Sequence, residues 1–225
     1  MSMKKYILAS AFISSLLCSY TLESLSTEIN DEIRCLVKNN PHQLSEAEYR
    51  LIAETIIDKT PCNILVFGVG RDSRLWIDIN RQGLTVFLED NPIWLDRISL
   101  ELPEINAYLV TYNTLRKQWK GLLNRNIEAE LLLELPKEIL ETKWDIIFVD
   151  APEGWSDEKP GRMKSIFTAA KLAYISGNCD VFVHDCDRKV EANYCEKFLH
   201  SENLMSTLDR LRYYYIPSTL CCKSL

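Results

Sequence analysis

Three histidines and no C-x-x-C pair leave this 225-residue chain without the ligand spacing of a zinc site, although it carries eight cysteines. Cys62 and Cys179 each adjoin an expected strand, which predicts buried free thiols there, while Cys221 and Cys222 lie at the tail. A basic excess is also missing. The formal net charge is −6, opposite to the footprint of a general nucleic-acid binder, so no nucleic-acid partner is expected. A small basic pocket for an acidic ligand is still compatible with that sum. No internal repeat or low-complexity tract divides the chain. The N-terminal apolar run from Tyr6 to about Cys18 falls short of the roughly 20 residues a membrane span needs. With Lys4 and Lys5 before it, that run has the charge and length of a signal peptide, but no clean small-x-small cleavage site follows. Residues 1–21 therefore read as a signal-like or anchor segment, with an apolar helix of a soluble protein as the alternative. Residues 22–59 read as N-terminal helices and 60–225 as one α/β domain.

What is present is a regular alternation. Ser45 to Lys59 has the pattern of a capped helix: Ser45 at the N-cap, Glu48 completing a capping box, and an apolar stripe of Leu51, Ile52, Ile56 and Ile57. From Asn63 onward, short apolar runs alternate with helical patterns. Strands are expected at 63–67, 85–89, 107–112, 145–150 and 180–184, with a late antiparallel strand over 212–216 at or near an edge. Helices are expected near 73–80, 91–100, 163–174 and 191–199, with Pro92 at a first helical position and helical patterns up to about Leu133. The fold class this implies is α/β: a doubly wound, mostly parallel sheet with an antiparallel C-terminal edge and an N-terminal helical extension. Right-handed crossovers then bring the carboxyl ends of the parallel strands to one rim, where such sheets bind ligands.

The residues at those ends carry the chemistry. Gly68 and Gly70, in NILVFGVGRDS, permit a tight turn and close backbone approach to a ligand. Ser73 stands where a dinucleotide fingerprint has its third glycine, and Asp72 would repel a pyrophosphate. An acidic loop suits a ligand bearing an ammonium group, such as S-adenosylmethionine (SAM), over a nicotinamide dinucleotide. Glu89 follows about 20 residues later, placed to accept hydrogen bonds from ribose hydroxyls, with Asp90 or Asn91 left to cap the next helix. Tyr112, at the third strand end, is the position for an adenine contact. The run Trp144 to Val149 ends on Asp150, and the fifth strand ends at His184-Asp185. Asp150, His184 and Asp185 are the catalytic candidates: either one of them is a general base for a hydroxyl acceptor, or the carboxylates hold a divalent metal that acidifies it. Arg162 and Arg188 have the planar fork that reads a carboxylate, and Trp155 suits stacking on a sugar face.

Five blocks together resemble the plant glucuronoxylan 4-O-methyltransferase family, which includes arabinogalactan methyltransferases and related xylan-biosynthesis proteins. They are residues 63–73, Thr85–Asp90, Trp144–Pro152 with Gly154, Pro160-Gly161-Arg162-Met163, and Asp180–Asp185 with Asp187-Arg188. The resemblance runs over roughly residues 60–216. It implies a SAM-dependent methyltransferase domain acting on the 4-hydroxyl of a glucuronic acid residue in a polysaccharide or glycoside. By the same resemblance Gly68, Gly70, Asp72, Ser73 and Glu89 line the SAM site, Asp150, His184 and Asp185 lie near the transferred methyl, and Arg162 meets the uronate. Plant members are typically Golgi proteins with an N-terminal membrane anchor, which places this chain in the secretory pathway as an expectation. The chain departs from the family pattern in a short 115–135 segment, in Cys186 for an aliphatic residue, and in His200 for a cysteine. A non-catalytic accessory protein of polysaccharide assembly with the same fold is the competing expectation.

Overall fold

The structure, a computed structural model, describes residues 27–124 and 128–218. The signal-like segment at 1–21, Cys18 and the tail cysteines lie outside the described residues. Among the described residues, no helix is long and apolar enough to cross a membrane.

In chain order the elements are α1 (helical over 27–39 of the described stretch), α2 (Glu46–Lys59), β1 (Asn63–Phe67), α3 (Ser73–Ile79), β2 (Leu84–Glu89), α4 (Pro92–Glu101), β3 (Ala107–Leu109), α5 (Trp119–Asn124), α6 (Glu128–Leu131), α7 (Lys137–Glu141), β4 (Ile146–Val149), α8 (Met163–Ser176), β5 (Cys179–Val183), α9 (Lys189–Phe198), β6 (Leu204–Leu208) and β7 (Leu211–Ile216). The strands form one sheet in the order β3-β2-β1-β4-β5-β7-β6. β3, β2, β1, β4 and β5 are parallel, while β7 pairs antiparallel with β5 and with β6. The chain winds outward from β1 to β3, then returns to place β4 on the other side of β1. Strand order therefore reverses between β1 and β4, which opens a crevice above their carboxyl ends.

Both faces of the sheet are covered, and this is why its strands read as continuous apolar runs. Ile64, Val66, Phe87, Ile146 and Phe148 pack under the N-terminal helices with Ile52, Ile56 and Trp76. Leu65, Phe67, Leu88, Ile147 and Val149 face the other way, against Ile166, Ala169 and Tyr194 of α8 and α9. The N-terminus of α2 has the expected capping box: Glu48 N donates to Ser45 Oγ at 3.3 Å, and Ser45 N donates to Glu48 Oε2 at 2.7 Å. Its buried stripe is Tyr49, Ile52, Ala53 and Ile56, which share the face turned to the sheet; Ile52 and Ile56 are the expected members, while Leu51 is half-buried and Ile57 exposed.

One strand expectation needs correction, and one strand is unexpected. β3 stops at Leu109 instead of running to Tyr112, because its neighbour β2 ends at Glu89 and the bond from Val110 N to Glu89 O at 2.8 Å is the last rung. A further strand, β6, forms the edge, so β7 lies one strand inside it. β6 is mostly exposed and lacks the apolar run that marks the buried strands.

Candidate active site

The carboxyl ends of β1, β2, β4 and β5 open onto a cleft of about 1090 Å³. Its floor is the loop after β1. Gly68 holds φ +114°, and its N–H reaches Leu88 O at 2.7 Å. A Cβ there would come within 2.9 Å of Ala151 Cβ, so only glycine lets this loop lie against the one after β4. Glu89 braces the floor from the side. Its Oε2 accepts from Val69 N at 2.9 Å and its Oε1 from Asn91 N at 2.8 Å, leaving further lone pairs on both oxygens for a ligand hydroxyl. Asn91 caps α4 through Ile93 N and Trp94 N at 3.1 and 3.2 Å. Asp72 lines the same end of the cleft, and burial, with Asp150 nearby, pushes its carboxyl up to about 7.

Two expected cofactor residues are placed otherwise. Ser73 is buried, and its Oγ accepts from Gly70 N at 3.0 Å, so it shapes the loop and is not part of the cleft wall. Tyr112 lies outside the lining as well, its hydroxyl 2.9 Å from Ser165 Oγ.

Asp150, His184 and Asp185 do converge. His184 Nδ1 lies 2.8 Å from Asp150 Oδ1 and 3.8 Å from Asp185 Oδ1. Asp185 adopts φ +61°, a left-handed conformation that aspartate tolerates better than most residues. Arg162 lies at the centre of the group. Its Nη2 meets Asp150 Oδ1 at 3.1 Å and Asp185 Oδ2 at 2.8 Å, while Nη1 and Nε donate to His184 O at 2.8 Å and Pro152 O at 3.3 Å. Burial alone would raise the Asp150 carboxyl, but the Arg162 guanidinium and the His184 hydrogen bond outweigh it and hold it below the usual range. Both contacts fall on Oδ1, so among the described residues Oδ2 has no hydrogen-bond partner.

The three residues offer ligand atoms within 4.8 Å of one another, close enough in distance for a metal. They do not fit one as arranged, because Arg162 already supplies the cation between the two aspartates. Arg162 lines the cleft but is only 6% exposed, with four of its five N–H groups engaged by these partners, so it organises the acids. Arg188 is more exposed: 28% of its side chain is open, it lines the cleft, and among the described residues its guanidinium is engaged through Nη1, at 2.9 Å from Asp185 Oδ2. Trp155 stands at the mouth, 65% exposed, with Lys159 Nζ 5.4 Å from its ring centre.

A family model described as IRX15/IRX15L/GXM matches residues 47–214. The chain belongs to that family. It is 41% identical over 177 residues to glucuronoxylan 4-O-methyltransferase 1 of Arabidopsis thaliana, covering 71% of this chain and 63% of that protein. It is 32% identical over 229 residues to arabinogalactan O-methyltransferase 1 of the same plant, covering 93% and 79%. Against three glucuronoxylan 4-O-methyltransferases the chain spans 62–64% of the relatives' length. Among solved structures it is similar to a Staphylococcus aureus protein provisionally described as a caffeoyl-CoA O-methyltransferase. That match has a TM-score of 0.53 and 14% identity, over 89% of this chain and 99% of the other. The fold is thus the Rossmann-like type of SAM-dependent methyltransferases.

This family member also builds its site from residues that the sequence did not single out. The turn between α1 and α2 contributes His42 and Gln43 to one wall, and α2 contributes Tyr49. Arg210, from the β6–β7 turn, donates to Gln43 O at 2.6 Å and pairs with Asp185 Oδ1 at 3.0 Å. No local signal marks these residues, because the sheet's far edge and the N-terminal helices meet only in the folded chain.

Proposed function

We propose that this chain is a SAM-dependent O-methyltransferase acting on the 4-hydroxyl of a glucuronic acid residue in a polysaccharide or glycoside. The observation that carries the reading is Asp150: a carboxylate at the β4 end with Oδ2 free, opposite the Gly68 loop of a methyltransferase fold. The floor fits SAM, since Gly68 and Gly70 keep side chains out of the cleft, Glu89 is placed for ribose hydroxyls, and Asp72 suits an ammonium group. When bound, SAM supplies an electrophilic methyl on a sulfonium.

The chain's own residues supply the rest. Asp150 Oδ2 accepts the proton of the acceptor hydroxyl as the oxygen is methylated, and Arg162 holds that carboxylate in place. Arg188, with Lys159 at the rim, meets the uronate, and Trp155 offers a face to the sugar. The names of the glucuronoxylan and arabinogalactan relatives support a glycan acceptor. Calorimetric titration with SAM tests the cofactor, and a methylation screen across uronic acid oligomers of different lengths tests the acceptor. A folded sample that does not bind SAM would overturn the proposal.

A further inference from the structure

Glu48 ties the N-terminal helices into the acidic cluster. It sits in the first turn of α2, fully buried. Its Oε2 accepts from Ser45 N at 2.7 Å and its Oε1 from Arg210 N at 2.8 Å. That Oε2 also faces His184 Nε2 at 3.8 Å, outside hydrogen-bond range, and Nε2 is buried with no hydrogen-bond partner among the described residues. The other ring nitrogen, Nδ1, lies 2.8 Å from Asp150 Oδ1. The imidazole therefore stands between two carboxylates, one from the N-terminal helices and one from the β4 end. His184 has 2% of its side chain exposed, against 20% for Asp150, so Asp150 is the member of this row open to an acceptor.

We infer that Glu48 is a positioning residue for Asp150, acting through His184. In a dry interior, a carboxylate facing Nε2 favours a hydrogen on that nitrogen and attracts the ring edge that bears it. Rotating the ring by half a turn would put carbon where Nε2 and Nδ1 now stand, losing both the Glu48 attraction and the Asp150 hydrogen bond. Glu48 thus fixes the ring, the ring fixes Asp150 Oδ1 together with Arg162, and Oδ2 is left for the acceptor. Residues that act one behind another in this way are the usual means of aiming a base. The N-terminal helices, outside the sheet unit, are then part of the catalytic arrangement.

The inference rests on Asp150 being the base of the proposed methyl transfer. Two measurements test it. The first uses the unaltered chain: with three histidines, two-bond 1H–15N spectra resolve each ring, and His184 is expected to carry a hydrogen on both ring nitrogens, Nδ1 donating to Asp150 and Nε2 facing Glu48. A bare Nε2 would overturn the inference without any variant. The second compares Glu48→Gln with Ser45→Ala, which disturbs the same helix cap but leaves the Glu48 charge. Glu48→Gln should change the His184 ring pattern and lower kcat about tenfold or more, as loss of an aligned base does. The SAM Kd and acceptor KM should stay within about threefold, as expected for a residue that touches neither ligand. Normal turnover in Glu48→Gln, or an equal kcat loss in Ser45→Ala, would overturn it. If the unaltered chain transfers no methyl at all, the proposed function fails instead.

Discussion

Arg162 and Asp150 form an ion pair, Nη2 to Oδ1 at 3.1 Å, in which the arginine is buried and the acid half-buried at the cleft. The pair sets the character of the site. It gives Asp150 a fixed counter-charge and a fixed orientation, and it places a permanent cation where a metal would otherwise stand.

The two arginines beside the acids should behave differently when removed. Arg162→Met removes the cation between Asp150 and Asp185 and the donor to two backbone carbonyls, and is expected to cost about 3 kcal/mol in urea unfolding. Arg188→Ala should cost less than about 1 kcal/mol, because its pair is partly exposed. It should instead raise KM for uronate acceptors and erase the preference over neutral sugars. An Arg188 variant that still discriminates would assign the uronate contact elsewhere.

Asp72 is expected to make stability, and on the proposed function SAM binding, depend on pH. Its folded carboxyl titrates at about 7, raised from 3.8 mainly by burial and next by Asp150. A raised acid disfavours its ionised form in the fold. The associated stability is fully present below pH 3.8 and is lost as pH rises to about 7. Asp72→Asn should therefore stabilise the chain at pH 8, on the order of 2 kcal/mol once partial exposure is allowed for. If the ionised carboxylate meets the SAM ammonium, SAM binding should tighten between pH 6 and 8 in the unaltered chain and stay flat in Asp72→Asn. Calorimetry at three pH values distinguishes these outcomes.

Gly68→Ala should damage the floor of the cleft. At φ +114° a side chain is strained, and its Cβ would press on Ala151 Cβ at 2.9 Å. A loss of about 1–3 kcal/mol in thermal or urea unfolding is expected, with weaker SAM binding. Unchanged stability would mean that the two loops separate easily.

The parallel strands were legible because burial on both faces leaves runs such as Ile146–Val149 without polar interruption. Their boundaries agree to within about two residues except at β3, whose length depends on where β2 ends. β6 left no trace, since an exposed edge strand paired only with β7 needs no apolar pattern. In the site, the convergence of Asp150, His184 and Asp185 followed from the rule that strand ends share a rim. The sequence could not show how deeply Arg162 is buried among the acids, because its partners come from the loop after β4 and the end of β5. Glu48 was readable as half of a capping box, which it is, but its proximity to His184 exists only in three dimensions. Ser73 and Tyr112 fell at plausible positions, yet each hydroxyl is taken by an internal contact.

Transfer of labelled methyl from SAM to a glucuronic acid oligomer, by the unaltered chain and Asp150→Asn side by side, decides whether Asp150 is the base at this cleft. The unaltered chain is expected to label the 4-hydroxyl, and Asp150→Asn to fall by about 10²–10⁴ in kcat with SAM affinity nearly unchanged. No labelling by a folded, unaltered chain, or full turnover in Asp150→Asn, would contradict it.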